Sequence, residues 1–114
     1  MQDPPRGRGP LQFELEAVVE DPRTTLRLAG ELDAATVPEL EVALARAERA
    51  RAKEIVVDVE RLTFIDSTGL QTLVALQRRL NGDGPELVVR RPTEEVARMF
   101  SLVGLDKLLR ITED

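Results

Sequence analysis

A chain of 114 residues, 42% apolar and 32% charged, has room for one folded domain with a real hydrophobic core and not for two. The formal net charge of −5 argues against a default role on nucleic acid or a membrane surface, since both favour basic faces. Without His, Cys, Tyr or Trp the chain cannot build a Ser-His-Asp triad, a thiol nucleophile, or a thiolate or imidazole zinc site.

General acid–base work is left to carboxylates and to the only two lysines, Lys53 and Lys107. No disulfide framework calls for an oxidising compartment, no apolar run approaches the roughly 20 residues of a membrane span, and the N-terminus lacks the apolar stretch of a signal peptide. The expectation is a cytoplasmic binding module without metal or cofactor, not an enzyme.

Residues 1–10 are rich in Pro, Gly and Arg and almost free of apolar groups, so they read as a flexible arm ahead of a single domain over 11–114. From Leu11 the chain alternates, with Leu11, Phe13, Leu15 and Ala17 on one face and Gln12, Glu14 and Glu16 on the other, which predicts a half-buried strand. Glu20-Asp21-Pro22-Arg23 supplies turn chemistry. Alternation resumes from Thr24 to Ala29 through Leu26 and Leu28, predicting an antiparallel hairpin closed off at Gly30.

Thr36-Val37-Pro38-Glu39 has the pattern of a capping box, with Thr36 as N-cap and Glu39 three residues on. Val37, Leu40, Leu44 and Ala47 follow at helical spacing, predicting a helix near 36–51 that buries Leu40 and Leu44 and exposes Arg46 and Glu48. Ile55-Val56-Val57-Asp58-Val59 is a nearly continuous β-branched run, as expected of a central strand covered on both faces. A second helix over 67–80 has Leu70, Leu73, Val74 and Leu80 on its buried side and ends at the turn-rich stretch 81–85. Leu87–Val89 is a further strand. Thr93 caps a third helix near 93–103 with Val96, Met99, Phe100 and Val103 as core positions, Gly104 is its C′ residue, and 108–111 forms a last short strand.

The order β-β-α-β-α-β-α-β implies an α/β single domain, with right-handed crossover helices, a largely parallel sheet, and an antiparallel opening hairpin that makes the sheet mixed.

One segment carries more polar chemistry than the fold needs: Phe64-Ile65-Asp66-Ser67-Thr68-Gly69-Leu70. Two readings of Ser67 stay open from local pattern. It is an N-cap whose oxygen accepts a first-turn amide, or it belongs to a phosphate-sensitive docking site. A helix N-terminus accommodates a phosphoserine through free amides and a partial positive charge. Gly69 in the first turn costs up to about 1 kcal/mol in helix propensity, which points to a close backbone approach at that position.

The same segment resembles the signature of the STAS domain, particularly as found in bacterial anti-sigma factor antagonists. Leu28-Ala29-Gly30-Glu31-Leu32-Asp33 with Ala35-Thr36-Val37-Pro38-Glu39-Leu40 resembles that family's other hallmark, and Met99-Phe100-Ser101-Leu102-Val103-Gly104-Leu105-Asp106 its C-terminal helix and turn. The likeness covers residues 11–112. It implies a partner switch in which the unphosphorylated protein binds an anti-sigma factor and thereby frees a sigma factor.

In that family the anti-sigma factor is often itself the serine kinase that ends the contact, and a phosphatase resets it. The resemblance puts the phosphoacceptor at Ser67, with Thr68 sharing the hydroxyl chemistry. Asp33, Asp66, Ser67, Thr68 and Gly69 form the partner-binding set, no residue being catalytic or metal-ligating. Asp33 also reads as a turn or N-cap residue. The alternatives are a non-phosphorylated STAS adaptor of a lipid-transport or stress-sensing complex, an enzyme pairing Asp33 with Asp66 as acid and base, and a receiver-like protein phosphorylated at Asp58.

Overall fold

The computed structural model describes residues 12–80 and 82–114. The arm over 1–10, Leu11 and Asn81 lie outside the described residues.

Strand β1 (Phe13–Glu20) turns through Asp21-Pro22, joined by a cis peptide, into β2 (Arg23–Leu32). Then follow α1 (Val37–Arg49), β3 (Glu54–Ile65), α2 (Ser67–Leu80), β4 (Glu86–Arg90), α3 (Glu94–Leu102), a 3₁₀ turn (Leu105–Lys107) and β5 (Arg110–Thr112). The five strands lie side by side in chain order, with β1 antiparallel to β2 and every later pair parallel. The mixed sheet and its opening hairpin therefore form as the alternation pattern requires.

Side chains alternate across a pleated strand, and one face of this sheet carries the core. Leu26 and Leu28 of β2, Ile55, Val57 and Val59 of β3, and Leu87 and Val89 of β4 join Leu40 and Leu44 of α1, Leu73 and Leu76 of α2, and Phe100 of α3 in one apolar cluster. Each fully buried leucine contributes roughly 2 kcal/mol through removal from water, and truncating Leu73 to alanine would cost about 2–5 kcal/mol. Val56 and Asp58, which point to the other side of β3, are buried too, so this strand is covered on both faces.

Several positions depart from the periodic reading. Ala17 is exposed and Phe13 and Leu15 only half-buried, because β1 is an edge strand with one neighbour. On α2 Leu76 is buried together with Leu70, Leu73 and Leu80, and Val74 at the edge of that stripe is only half-buried. Val103 is 57% exposed, since α3 stops at Leu102 and Gly104 takes the left-handed conformation (φ 78°) that ends it. Glu48 is half-buried, not exposed: its carboxylate reaches across to Arg79 of α2 at 2.5 Å.

The strand that leads to the site is longer than its β-branched run. Arg27 pairs with Asp58 but Ala29 with Arg61, and Gly30 pairs with Leu62 but Glu31 with Phe64. β3 thus carries one extra residue at each break, the mark of a β-bulge. Burial follows the bulges: Val59, Leu62 and Ile65 point inward, while Glu60, Arg61, Thr63 and Phe64 are exposed. Opposite the second bulge β2 runs through Gly30 (φ 95°), a conformation glycine adopts without penalty, and continues to Leu32. The antiparallel pairing with β1 ends at Gly30, opposite Phe13, as the alternation pattern predicts, while β2 itself runs on beside β3 to Leu32.

Candidate functional site

Leu32 pairs with Ile65 at the last rung between the parallel strands β2 and β3. The next residue on each strand is an aspartate, so Asp33 and Asp66 leave the sheet side by side and each starts a helix. The Asp66 amide donates to the Leu32 carbonyl at 3.1 Å, tying the second loop to the first.

In the first loop the Asp33 carboxylate accepts the amides of Ala35 (3.0 Å) and Thr36 (3.1 Å), and its carbonyl accepts the Val37 amide at 2.8 Å. Asp33 is the turn residue here, and the N-cap position of α1 falls on Thr36. The buried Thr36 does not form the expected capping box: its backbone is already helical (φ −104°, ψ −18°) and its side chain makes no cap bond. Its hydroxyl instead accepts the Asp33 amide at 2.9 Å and donates to the Glu31 carbonyl at 2.8 Å, closing the loop on itself. A hydroxyl committed to that loop cannot also face the first-turn amides.

In the second loop Asp66, not Ser67, is the N-cap. Its carboxylate accepts the Gly69 amide at 2.9 Å and its carbonyl accepts the Leu70 amide at 2.9 Å. Ser67 is the first helical residue and is exposed, and its hydroxyl makes no hydrogen bond to another described residue. Thr68 is half-buried, its carbonyl taken up by the Thr72 hydroxyl at 2.9 Å. Of the two neighbouring hydroxyl residues, Ser67 is the one presented to solvent.

The close approach inferred at Gly69 is real and lies inside the fold. A Cβ there would stand 2.8 Å from Cγ1 of Ile65, 3.0 Å from the Leu32 carbonyl oxygen and 3.1 Å from Cγ of Leu32. Glycine lets the first turn of α2 rest directly on the ends of β2 and β3, and so fixes where Ser67 emerges. Phe64, turned outward by the second bulge, is 45% exposed two residues before the cap. Sequence reasoning missed it as an exposed aromatic, because a phenylalanine inside an apolar run reads as core.

The other chemical alternatives fare poorly. Both Asp33 and Asp66 spend a carboxylate oxygen on backbone amides, which suits structural caps better than an acid–base pair. Asp58 lies mid-strand in a buried ion pair with Arg90 at 3.0 Å, with its second oxygen accepting the Glu60 amide. It does not stand at a strand end, where a receiver phosphoacceptor would be needed. A cavity of about 880 Å³ on that side of the sheet is lined by three ion pairs, Arg27 with Glu16, Arg91 with Glu60 and Arg90 with Asp58, beside Glu14 and Arg61. Among the described residues no three His, Cys, Asp or Glu side chains cluster to hold a metal ion, and no helix is long and apolar enough to cross a membrane.

Residues 17–110 match the family model described as "Mlab, STAS domain". The chain belongs to the STAS domain family. Within it, the chain is 31% identical over 103 residues to the anti-sigma-B factor antagonist of Staphylococcus aureus (strain NCTC 8325 / PS 47), covering 90% of this chain and 95% of that one. Its STAS fold superposes with a TM-score of 0.82 on the crystal structure of an anti-sigma factor antagonist from Mycobacterium paratuberculosis, at 25% identity, over 93% of this chain and 90% of the other. SpoIIAA, a Bacillus cell fate determinant, is similar in two states. The unphosphorylated form gives a TM-score of 0.71 at 27% identity, covering 90% of this chain and 89% of that one, and the phosphorylated form 0.66 at 26%, covering 90% and 92%.

Proposed function

We propose that this STAS domain is an anti-sigma factor antagonist: unphosphorylated, it holds an anti-sigma factor at the surface around Ser67 and so releases a sigma factor. Phosphorylation of Ser67, by an anti-sigma factor that is itself a serine kinase, ends the contact, and a serine phosphatase restores it. A cytoplasmic setting belongs to this reading, as does a chain with no catalytic residue of its own.

The observation that carries the reading is the division of labour between Asp66 and Ser67. Asp66 caps α2, so the exposed Ser67 hydroxyl is free of structural duty and open to a kinase. The relatives support the functional class, and a SpoIIAA structure in a phosphorylated form supports a modification of this kind. The exposed hydroxyl also favours this reading over a non-phosphorylated adaptor.

The electrostatics give the switch its direction. A phosphoryl group adds roughly 1.5–2 negative charges at neutral pH. In the free protein these meet the positive end of the α2 dipole and first-turn amides without an intrahelical acceptor, so the fold tolerates them. In a complex they are pressed into a desolvated interface beside Asp33 and Asp66, where like-charge contact costs several kcal/mol. Each 1.4 kcal/mol is about tenfold in affinity.

Ser67→Asp is therefore expected to weaken anti-sigma factor binding about a hundredfold or more while keeping a near-native melting temperature. Ser67→Ala is expected to bind and to resist inactivation by the kinase. Titration calorimetry beside thermal melts reads both. Intact-mass analysis after incubation with ATP and candidate kinases localises the group, and modification elsewhere than Ser67, or undiminished binding by Ser67→Asp, overturns the reading.

A further inference from the structure

The crossovers from β2 to β3, β3 to β4 and β4 to β5 all step the same way along the sheet. Right-handed connections then place α1, α2 and α3 on one face. Among the described residues, the opposite face is covered only by the strands' own side chains. There Ala29 of β2 stands in a row between Glu14 and Arg61, and its small side chain leaves a hollow. This is the cavity of about 880 Å³, edged by Arg27, Arg61, Arg90 and Arg91.

The fold accounts for only part of this arginine ring. Arg90 is held by Asp58 at 3.0 Å and is mostly buried. Arg61 is exposed and forms no ion pair with another described residue. It faces outward because the first bulge of β3 adds a residue there. Arg27 and Arg91 lie 3.6 Å and 3.3 Å from Glu16 and Glu60, and both pairs are open to solvent. Exposed pairs of this kind add little stability.

Arg91 also has φ 57° directly before Pro92, a left-handed backbone that glycine adopts freely and arginine does not. The other such residue, Arg51 (φ 62°), follows the end of α1, an ordinary place for that conformation. No helix ends at Arg91. Its amide is instead fixed by the Thr112 carbonyl of β5 at 2.8 Å. A weak pair with Glu60 does not offset that strain, so the guanidinium is held over the hollow for another purpose.

We infer that the hollow is a binding site for a small multivalent oxyanion, bearing phosphoryl or carboxylate groups, with Arg61, Arg91 and Arg27 as its ligands. Guanidinium forks pair such groups through two parallel hydrogen bonds. The carboxylates that face the hollow set the valence. Asp58 is neutralised by Arg90, but Glu16 and Glu60 already occupy Arg27 and Arg91. A monovalent anion gains nothing over them. An anion with two or more charges bridges arginines of neighbouring strands, and the two exposed glutamates swing into solvent. Glu14, at the β1 edge, confines the ligand to the Arg61 side. The site is independent of Ser67, which emerges on the helical side of the sheet.

Titration calorimetry at constant ionic strength, with pyrophosphate and with citrate as probes, tests the site. Wild type is compared with Arg61→Ala, Arg91→Gly and Arg98→Ala, the last removing an exposed arginine of α3. Wild type is expected to bind, and a preference for pyrophosphate or for citrate names the ligand group. Arg61→Ala and Arg91→Gly should each weaken binding about tenfold or more, and Arg98→Ala should not. Arg91→Gly should melt no lower than wild type, because glycine relieves the backbone. Amide shifts in wild-type NMR spectra should move at Ala29, Arg61 and Arg91 on adding the probe. The inference is overturned if wild type binds neither probe, or if Arg98→Ala loses as much affinity as Arg61→Ala. It is equally overturned if the shifts are confined to Gly69 and Leu70 at the start of α2.

Discussion

A β-carbon on Gly69 would stand 3.0 Å from the carbonyl oxygen of Leu32, the same oxygen that accepts the Asp66 amide. The end of β2 thus sets the seat of α2 through backbone alone, and the exposed serine is placed by contacts in which its own side chain has no share.

Gly69→Ala puts two opposing effects at one position. Helix propensity favours alanine by up to about 1 kcal/mol, but the new methyl meets Cγ1 of Ile65 at 2.8 Å as well as the Leu32 carbonyl. Backbone cannot step aside as a flexible side chain can, so overpacking wins, and a net loss of about 1–3 kcal/mol is expected. Urea denaturation measures it. A variant more stable than wild type would show that the contact relaxes freely.

Asp66→Ala removes the α2 cap and should cost about 1 kcal/mol, within the usual range for capping residues. Asp66→Asn keeps an acceptor oxygen for the Gly69 amide and should recover most of the loss. Equal destabilisation by the two would assign the effect to charge and not to the hydrogen bond.

Ser67→Ala tests the opposite expectation. Since the hydroxyl takes no part in the cap, stability should stay within about 0.5 kcal/mol of wild type, as at ordinary surface positions. A loss of 1 kcal/mol or more in a denaturant melt would make Ser67 a structural residue and weaken its claim as a site.

On the far side of the sheet, Asp58 and Arg90 retain only 10% and 22% of their side-chain exposure, and Nε of Arg90 is buried without a hydrogen-bond partner. Asp58→Ala strands that guanidinium and should cost roughly 2–4 kcal/mol. Replacing both residues by apolar ones of similar size should recover most of it, and a double-mutant cycle in urea reads the coupling. Additive losses would show that the pair acts independently.

The element order and all three helices were legible in the sequence because their apolar positions recur at clean periods: Leu40 and Leu44 on α1, Leu70 and Leu73 on α2, Val96 and Phe100 on α3. The capping details were not. Asp66-Ser67 and Asp33 to Thr36 each offer more than one oxygen within reach of a first turn, and the choice depends on how the Leu32 and Ile65 rung delivers the chain, a tertiary fact. The bulges of β3 were invisible for a different reason. No Gly or Pro lies between Val59 and Ile65, and the glycine that marks the second irregularity, Gly30, sits on the partner strand.

Those bulges give β3 two reading frames. Up to Val59 the strand turns every second residue inward, and from there to Ile65 every third. Deleting one residue between Val59 and Leu62 would remove the first bulge, restore simple alternation and keep Leu62 inward and opposite Gly30. The core would survive, and the outward face would present one residue fewer. The extra residues of β3 therefore serve the surface of the sheet and not its interior. Glu60, Arg61, Thr63 and Phe64 can be exchanged for residues that suit another partner without touching Val59, Leu62 or Ile65.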